Sequence, residues 1–374
     1  MASSPLPTPT ALRELFDATA PLTVGLEEEV MLLDPQTLDL LPRSLDVLAR
    51  TGEDARFVAE LPAAHLEIVT PPVAAVPDAV AALAEGRRDL ACAADGIGRL
   101  AAAGVHPFAA PLGELNPGER YELTLGEYGA IARAQLVCAL QVHVAVGGAQ
   151  RTLAVYNALR AYLPELAALA ASGPFLAGWD TGLASVRPKL SGLLPRQGVP
   201  PVMPSWDAYV EALRWGAAAG ATPDPGRWWW ELRPHPAHGT LEVRVPDAQA
   251  RLADAGAVAA VVQALVARLA ARHDAGDLPE PAATWRIEEN RWAACRDGVE
   301  GTMADLATGR RMPTRERLHA LLAEIAPEAE RLGCAGELRA AGALADVNGA
   351  MRLRAAGDAR AATAWLADAY LAVT

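Results

Sequence analysis

Four short segments place acidic or imidazole side chains two residues apart, the spacing that turns them to one face of a β-strand. Between Val24 and Leu32, Glu27 and Glu29 share a face, and Leu26, Glu28, Val30 and Leu32 share the other. Between His65 and Ile68, His65 and Glu67 oppose Leu66 and Ile68. Gln141 and His143 oppose Val142, Val144 and Val146, and Glu242 and Arg244 oppose Leu241, Val243 and Val245. One face of the implied sheet is apolar, and the other collects Glu27, Glu29, Glu67, Glu242 and His143. Like charges on neighbouring strands repel, so such a face calls for a cation. Carboxylate oxygens are the ligands that Mg²⁺ and Mn²⁺ prefer. Glu60 lies near enough in sequence to Glu67 to add a further ligand, and the set reads as a metal and phosphate site.

Any single strand of this kind also fits an ordinary half-buried sheet with one wet face; it is the four together that point to a cation. Other motifs are weaker. His235 and His238 have a metal-like look, but they stand in a proline-broken turn without a third ligand nearby and read as structural. The run Trp228–Trp230 reads as core and rim rather than as a stacking platform. His106 ends a probable strand, where a site role and a hydrogen-bonded structural role weigh equally. The single lysine, Lys189, lies between proline and leucine, which excludes a phosphate-binding Gly-Lys-Ser/Thr loop.

The elements that position these residues can be outlined. Amphipathic spacing predicts helices at Asp78–Ala102, Arg151–Ala171, Trp206–Ala219, Ala248–Ala271, Arg315–Leu332 and Asp358–Ala372. Strands are expected at Leu22–Leu33, His65–Thr70, Gln135–Val146, Trp228–Leu232 and Leu241–Val245. The irregular connections favour α+β with a largely antiparallel sheet over a parallel one. No linker divides the 374 residues, so a single domain over 1–374 is expected, with a loose arm over 1–20 and a mainly helical part over 300–374. The hydrophobic fraction of 52% is ample for a core, and the net charge of −12 speaks against nucleic acid. The alanine-rich runs are cut by charges, so no membrane span is expected, and without a secretory leader a cytoplasmic location follows by default. The four cysteines are far apart and read as small buried hydrophobes rather than as a disulfide framework.

Six segments carry a resemblance: Gly25–Pro35, Glu60–Glu67, Gln141–Val144, Trp229–Pro236, Gly239–Gln249 and Glu289–Arg296. In order and spacing they resemble the family-2 glutamate–cysteine ligases, also called carboxylate–amine ligases of the YbdK type, which are similar to the catalytic half of glutamine synthetase. The resemblance implies a curved, largely antiparallel sheet wrapped by helices, whose concave face holds ATP and divalent ions. It implies that Glu29, Glu60 and Glu67 form one metal site and Glu27, His143 and Glu242 another; Glu60 and this division rest on the resemblance alone. The pattern Glu-x-Arg-x-Pro-Asp matches Glu242, Arg244, Pro246 and Asp247, and Asp34 closes the first segment.

The implied activity is ATP-dependent amide formation, in which a carboxylate is activated as an acyl phosphate and displaced by an amine. The substrates implied are glutamate and an amine such as cysteine, with ATP and Mg²⁺, or Mn²⁺ in its place. Arg244 is expected to stabilise the transferring phosphoryl group beside Glu242. Arg160, Arg187 and Arg233 are candidates for gripping a substrate carboxylate, and Asn290, Arg291 and Arg296, in a further family motif, are grouped with them. A homodimer is the expected assembly, symmetric dimers being common. Two alternatives stay open on the same acid-lined sheet: a phosphotransferase like the guanidino kinases, and a non-catalytic sensor of ATP and amino acid.

Overall fold

The computed structural model describes residues 8–222 and 227–372. Seven strands form one open sheet: β1 (Val24–Leu33), β2 (Phe57–Ala59), β3 (His65–Val69), β4 (Arg99–Ala101), β5 (Leu140–Val144), β8 (Leu232–His235) and β9 (Thr240–Val243). Two small hairpins lie apart from it, β6 (Phe175–Leu176) with β7 (Trp179–Asp180), and β10 (Thr302–Ala304) with β11 (Arg311–Pro313). The order across the sheet is β2-β3-β1-β5-β9-β8, with β4 also paired to β1, and every pairing is antiparallel. The fold is therefore α+β with an antiparallel sheet, as the irregular connections predict.

The apolar residues on one face of β1, β3, β5 and β9 are buried, and they join a contiguous core with the surrounding helices. Helices Val76–Ala94, Ala149–Leu159 and Leu252–Asp274 pack together and against the strands, and Thr314–Leu332 and Ala335–Asp346 pack against the last of them. The Leu252–Asp274 helix is long and apolar enough to cross a membrane. Here it is the central helix of the core, buried without a break from Asp254 to Ala267.

Glu28, on the apolar face of β1, is fully buried against Arg87. Arg87 donates through Nε and a terminal nitrogen to the two oxygens of Glu28, at 2.8 and 2.5 Å. It also donates to the carbonyls of Gln249, Ala250 and Tyr370, and its guanidinium lies 4.3 Å from the centre of the Tyr370 ring. One side chain thus ties β1, a helix, the segment after β9 and the end of the chain together.

Several expectations need correction. The helix expected over Asp78–Ala102 ends at Ala94, and Arg99–Ala101 is strand β4. Gly96 takes φ +69°, and a Cβ on Gly98 would stand 2.7 Å from the Leu33 carbonyl, so the chain turns back against β1 there. Trp228–Trp230 precede the strand, which runs from Leu232 to His235. Of the expected arm, residues 1–7 lie outside the described residues, and Pro9–Ala18 is a helix capped by Thr8 that buries Leu12 and Phe16. The helical final part also contains the β10–β11 hairpin. Cys92 is exposed, whereas Cys138, Cys295 and Cys334 are buried.

Candidate active site

Strand register builds the site. Glu29 faces Glu67 across β1 and β3, Glu27 faces Gln141 across β1 and β5, and His143 faces Glu242 across β5 and β9. Opposed residues project to the same side, so period-two alternation on four strands delivers all of these side chains to one surface. Glu60 joins them from just beyond β2; its backbone N–H donates to the His65 carbonyl, and Asn116 holds its carbonyl at 2.7 Å.

Two clusters result. Glu27, His143 and Glu242 each offer a ligand atom within 4.8 Å of the others, and so do Glu29, Glu60 and Glu67. Gln141 spans the gap: its Nε2 donates to Glu29 at 2.9 Å and to Glu67 at 3.4 Å, and its Oε1 accepts from Arg244. Gln141 thus holds Glu29 and Glu67 of one cluster directly and meets Glu242 of the other through Arg244.

The electrostatics differ between the clusters. Burial first, then Glu60, Glu27 and Glu29, hold the Glu67 carboxyl well above the usual carboxylate range. Glu29 is pushed up to about 7 by burial and by Glu60, against the pull of Arg244, and Glu60 is raised by burial. Glu242 goes the other way: burial would raise it, but Arg233 and Arg244 outweigh that and hold it well below the usual range. Glu27 is lowered: burial would raise it, but the neighbouring His143 outweighs that.

Arg233 grips Glu242 through two nitrogens, at 2.5 and 3.1 Å, and Arg244 donates to the same carboxylate. Five carboxylates thus face two closely bound guanidinium groups. His143 Nε2 is buried 3.2 Å from Glu27 Oε1 without an aligned hydrogen-bond partner. Crowded carboxylates with an orphaned imidazole nitrogen form a donor set that could hold divalent cations.

The remaining candidates fall elsewhere. Arg187 donates to Asp247 at 2.8 Å and to the carbonyls of Arg244, Val245 and Pro246, so it braces the chain that carries Arg244. Asp247 also accepts from the Ser172 N–H, and Gly104 leaves room for its carboxylate, since a Cβ there would approach within 2.7 Å. Three expected substrate contacts are instead committed to the fold. Arg160 donates to the carbonyls of Pro200 and Ala282 and to Thr284 Oγ1, Asn290 pairs with both backbone groups of Ala304, and Arg291 forms a forked pair with buried Glu231. Arg296 pairs with its neighbour Asp297 in a separate polar cleft with Asp180 and Arg354. Asp34 caps a turn, accepting from Gln36 and Thr37. His106 is structural, bonded to the Leu38 carbonyl and to the N–H groups of Phe108 and Ala109. His65 is buried on the acidic face beside Cys138, and burial lowers its pKa to about 3.

His235 and His238, read from the sequence as structural, stack their rings at 4.3 Å and lie 5.5 and 5.6 Å from the His143 ring. The hairpin register brings them there, carrying His235 back alongside Thr240 and the Glu242 strand.

Comparison with known proteins agrees with this architecture. Residues 23–366 match the family model described as Glutamate-cysteine ligase family 2 (GCS2). A Rubrobacter xylanophilus protein named "Putative glutamate--cysteine ligase 2-3" is 39% identical over 328 residues, covering 86% of this chain and 88% of that one. One from Thermobifida fusca named "Putative glutamate--cysteine ligase 2" is 35% identical over 332 residues, covering 86% and 83%. A solved glutamate–cysteine ligase from Francisella tularensis, in complex with AMP, shares the fold with a TM-score of 0.70 at 11% identity, over 94% of this chain and 89% of that chain. A bifunctional glutathione synthetase from Pasteurella multocida does so at 0.64 and 16%, over 96% of this chain and 53% of its own length. The chain belongs to glutamate–cysteine ligase family 2.

Proposed function

We propose that the protein is an ATP-dependent ligase that joins the γ-carboxyl of glutamate to an amine, with cysteine the acceptor named for the family, through an acyl phosphate. The observation that carries this reading is the pair of ligand clusters on one sheet face, Glu27 with His143 and Glu242, and Glu29 with Glu60 and Glu67. A carboxylate oxygen of glutamate attacks the γ-phosphorus and ADP leaves; the amine nitrogen then attacks the acyl carbon, inorganic phosphate leaves, and the nitrogen gives up its proton. The first step brings one anion to another, so charge repulsion is its main obstacle.

Divalent ions held by the two clusters would neutralise the phosphate oxygens during transfer. Arg244 is the protein's own contribution to that task. Its side chain is 19% exposed against 7% for Arg233, so it can turn from Glu242 toward a phosphoryl group while Arg233 keeps the carboxylate in place. Arg187 fixes the backbone from which Arg244 extends. With Arg160 and Arg291 committed to the fold, Arg244 is the arginine best placed to meet a substrate.

Isotope transfer tests the reading. Glutamate labelled with ¹⁸O in its γ-carboxylate, incubated with ATP, Mg²⁺ and each amino acid in turn, should deliver one label into inorganic phosphate and release ADP only when both substrates are present. ADP release with no label in phosphate would indicate a phosphotransferase, and no ADP with any pair of amino acids would remove the ligase reading.

A further inference from the structure

The two clusters are built from different donor atoms. Glu29, Glu60 and Glu67 offer only carboxylate oxygens, whereas Glu27 and Glu242 stand with the imidazole of His143. Around His143 two more imidazoles gather, His235 at 5.5 Å and His238 at 5.6 Å between ring centres. His235 Nε2 lies 3.8 Å from Glu242 Oε2. Among the described residues no imidazole belongs to the other cluster.

The hairpin that brings these rings in is held in place. Gly239 closes its turn at φ +66°, and a Cβ there would strike Thr19 and the Leu15 carbonyl of the N-terminal helix, so the turn sits directly on that helix. Thr19 Oγ1 also donates to the Gly239 carbonyl at 3.4 Å. On the inner side Thr240 Oγ1 bonds His143 Nδ1 at 3.0 Å, which fixes that ring so that its unpartnered Nε2 faces Glu27. The anchored turn thus keeps His235 and His238 beside His143.

Oxygen-only sites suit Mg²⁺ and Mn²⁺, while imidazole favours later transition ions such as Co²⁺, Ni²⁺ and Zn²⁺. We propose that the two ion positions are chemically unequal. The position of Glu27, His143 and Glu242, extended by His235 and His238, selects a transition-metal ion, and the position of Glu29, Glu60 and Glu67 selects Mg²⁺. This inference rests on the reading that both clusters hold cations.

The test is a Co²⁺ titration of the full-length, metal-stripped protein followed by visible absorption, without nucleotide and with Mg²⁺ in large excess. The expected result is one retained equivalent of Co²⁺ whose visible bands shift when His235 or His238 is removed. His235→Ala and His238→Ala should weaken Co²⁺ binding roughly 10- to 100-fold, with Mg²⁺ binding, read by calorimetry, unchanged. Should His238→Ala fail to fold, His238→Phe preserves the ring volume and carries the same expectation. Displacement of Co²⁺ by Mg²⁺ equally at both positions, or variants with unaltered Co²⁺ affinity and spectrum, would overturn the inference and leave the ligase reading standing. Failure of the protein to bind any divalent ion would remove both.

Discussion

Glu28 stands between Glu27 and Glu29 on one strand, yet the two faces of β1 treat their carboxylates in opposite ways. On the core face Glu28 meets a cation supplied by the chain, Arg87, whose donors are also taken by three carbonyls. On the other face Glu27 and Glu29 join Glu60, Glu67 and Glu242, where acids outnumber the bound arginines. The first arrangement is complete within the protein and serves stability. The second leaves acids in excess, and on the proposed reading divalent cations would supply the balancing charge. A buried ion pair and an active site can thus differ by one residue in sequence and by which side of the strand they face.

Substitutions on the two faces should separate activity from stability, and the largest effect is expected on the acidic one. Glu27→Gln or Glu242→Gln should abolish amino-acid-dependent ADP release, a loss of at least about a hundredfold given what charge stabilisation contributes to phosphoryl transfer. Circular dichroism should be that of the parent protein. Retained turnover in both variants would detach this face from the chemistry.

On the core face, Arg87→Ala leaves Glu28 buried without its partner. Breaking such a pair costs about 3–5 kcal/mol, a large share of the stability of a typical domain. Denaturant unfolding should show that loss, and removal of the Glu67 carboxylate, which stands among like charges, should not. An Arg87→Ala protein with parental stability would mean that the two faces are not distinct in the way described.

The smallest expected effect concerns pH. Glu29, with a folded-state value of about 7, and Glu60 and Glu67, also raised, hold protons more tightly folded than unfolded. The metal-free protein should therefore lose stability as pH rises from the ordinary carboxylate range through 7. Mg²⁺ should restore it, raising the melting temperature more at pH 8 than at pH 5.5, where protons compete for the same oxygens. Glu67→Gln should flatten this dependence. A metal-induced rise of equal size at both pH values would contradict it.

Much of this was legible in the sequence because strand periodicity is local. The alternation in β1, β3, β5 and β9 is enough to put Glu27, Glu29, Glu67, His143 and Glu242 on one side, and the structure gathers those residues there. What the sequence hid depends on distant partners. Glu28 looks misplaced among apolar neighbours until Arg87 arrives from a helix 59 residues away. His235 and His238 look isolated until β5 brings His143 beside them. Arg160, Asn290 and Arg291 sit in recognisable motifs, yet their partners are carbonyls and a buried glutamate that no spacing announces. The strand at Arg99–Ala101 was masked because Arg, Leu and Ala are good helix formers, and only two glycines and the pairing with β1 decide against them.

The most direct test is the anomalous scattering of Mn²⁺ in crystals grown with ATP. Two peaks are expected on the acidic face, one bounded by Glu27, His143 and Glu242 and the other by Glu29, Glu60 and Glu67, with nucleotide phosphates between them. Ordered nucleotide with no manganese at either cluster, or manganese only at other surface acids, would contradict the claim that this face exists to receive cations.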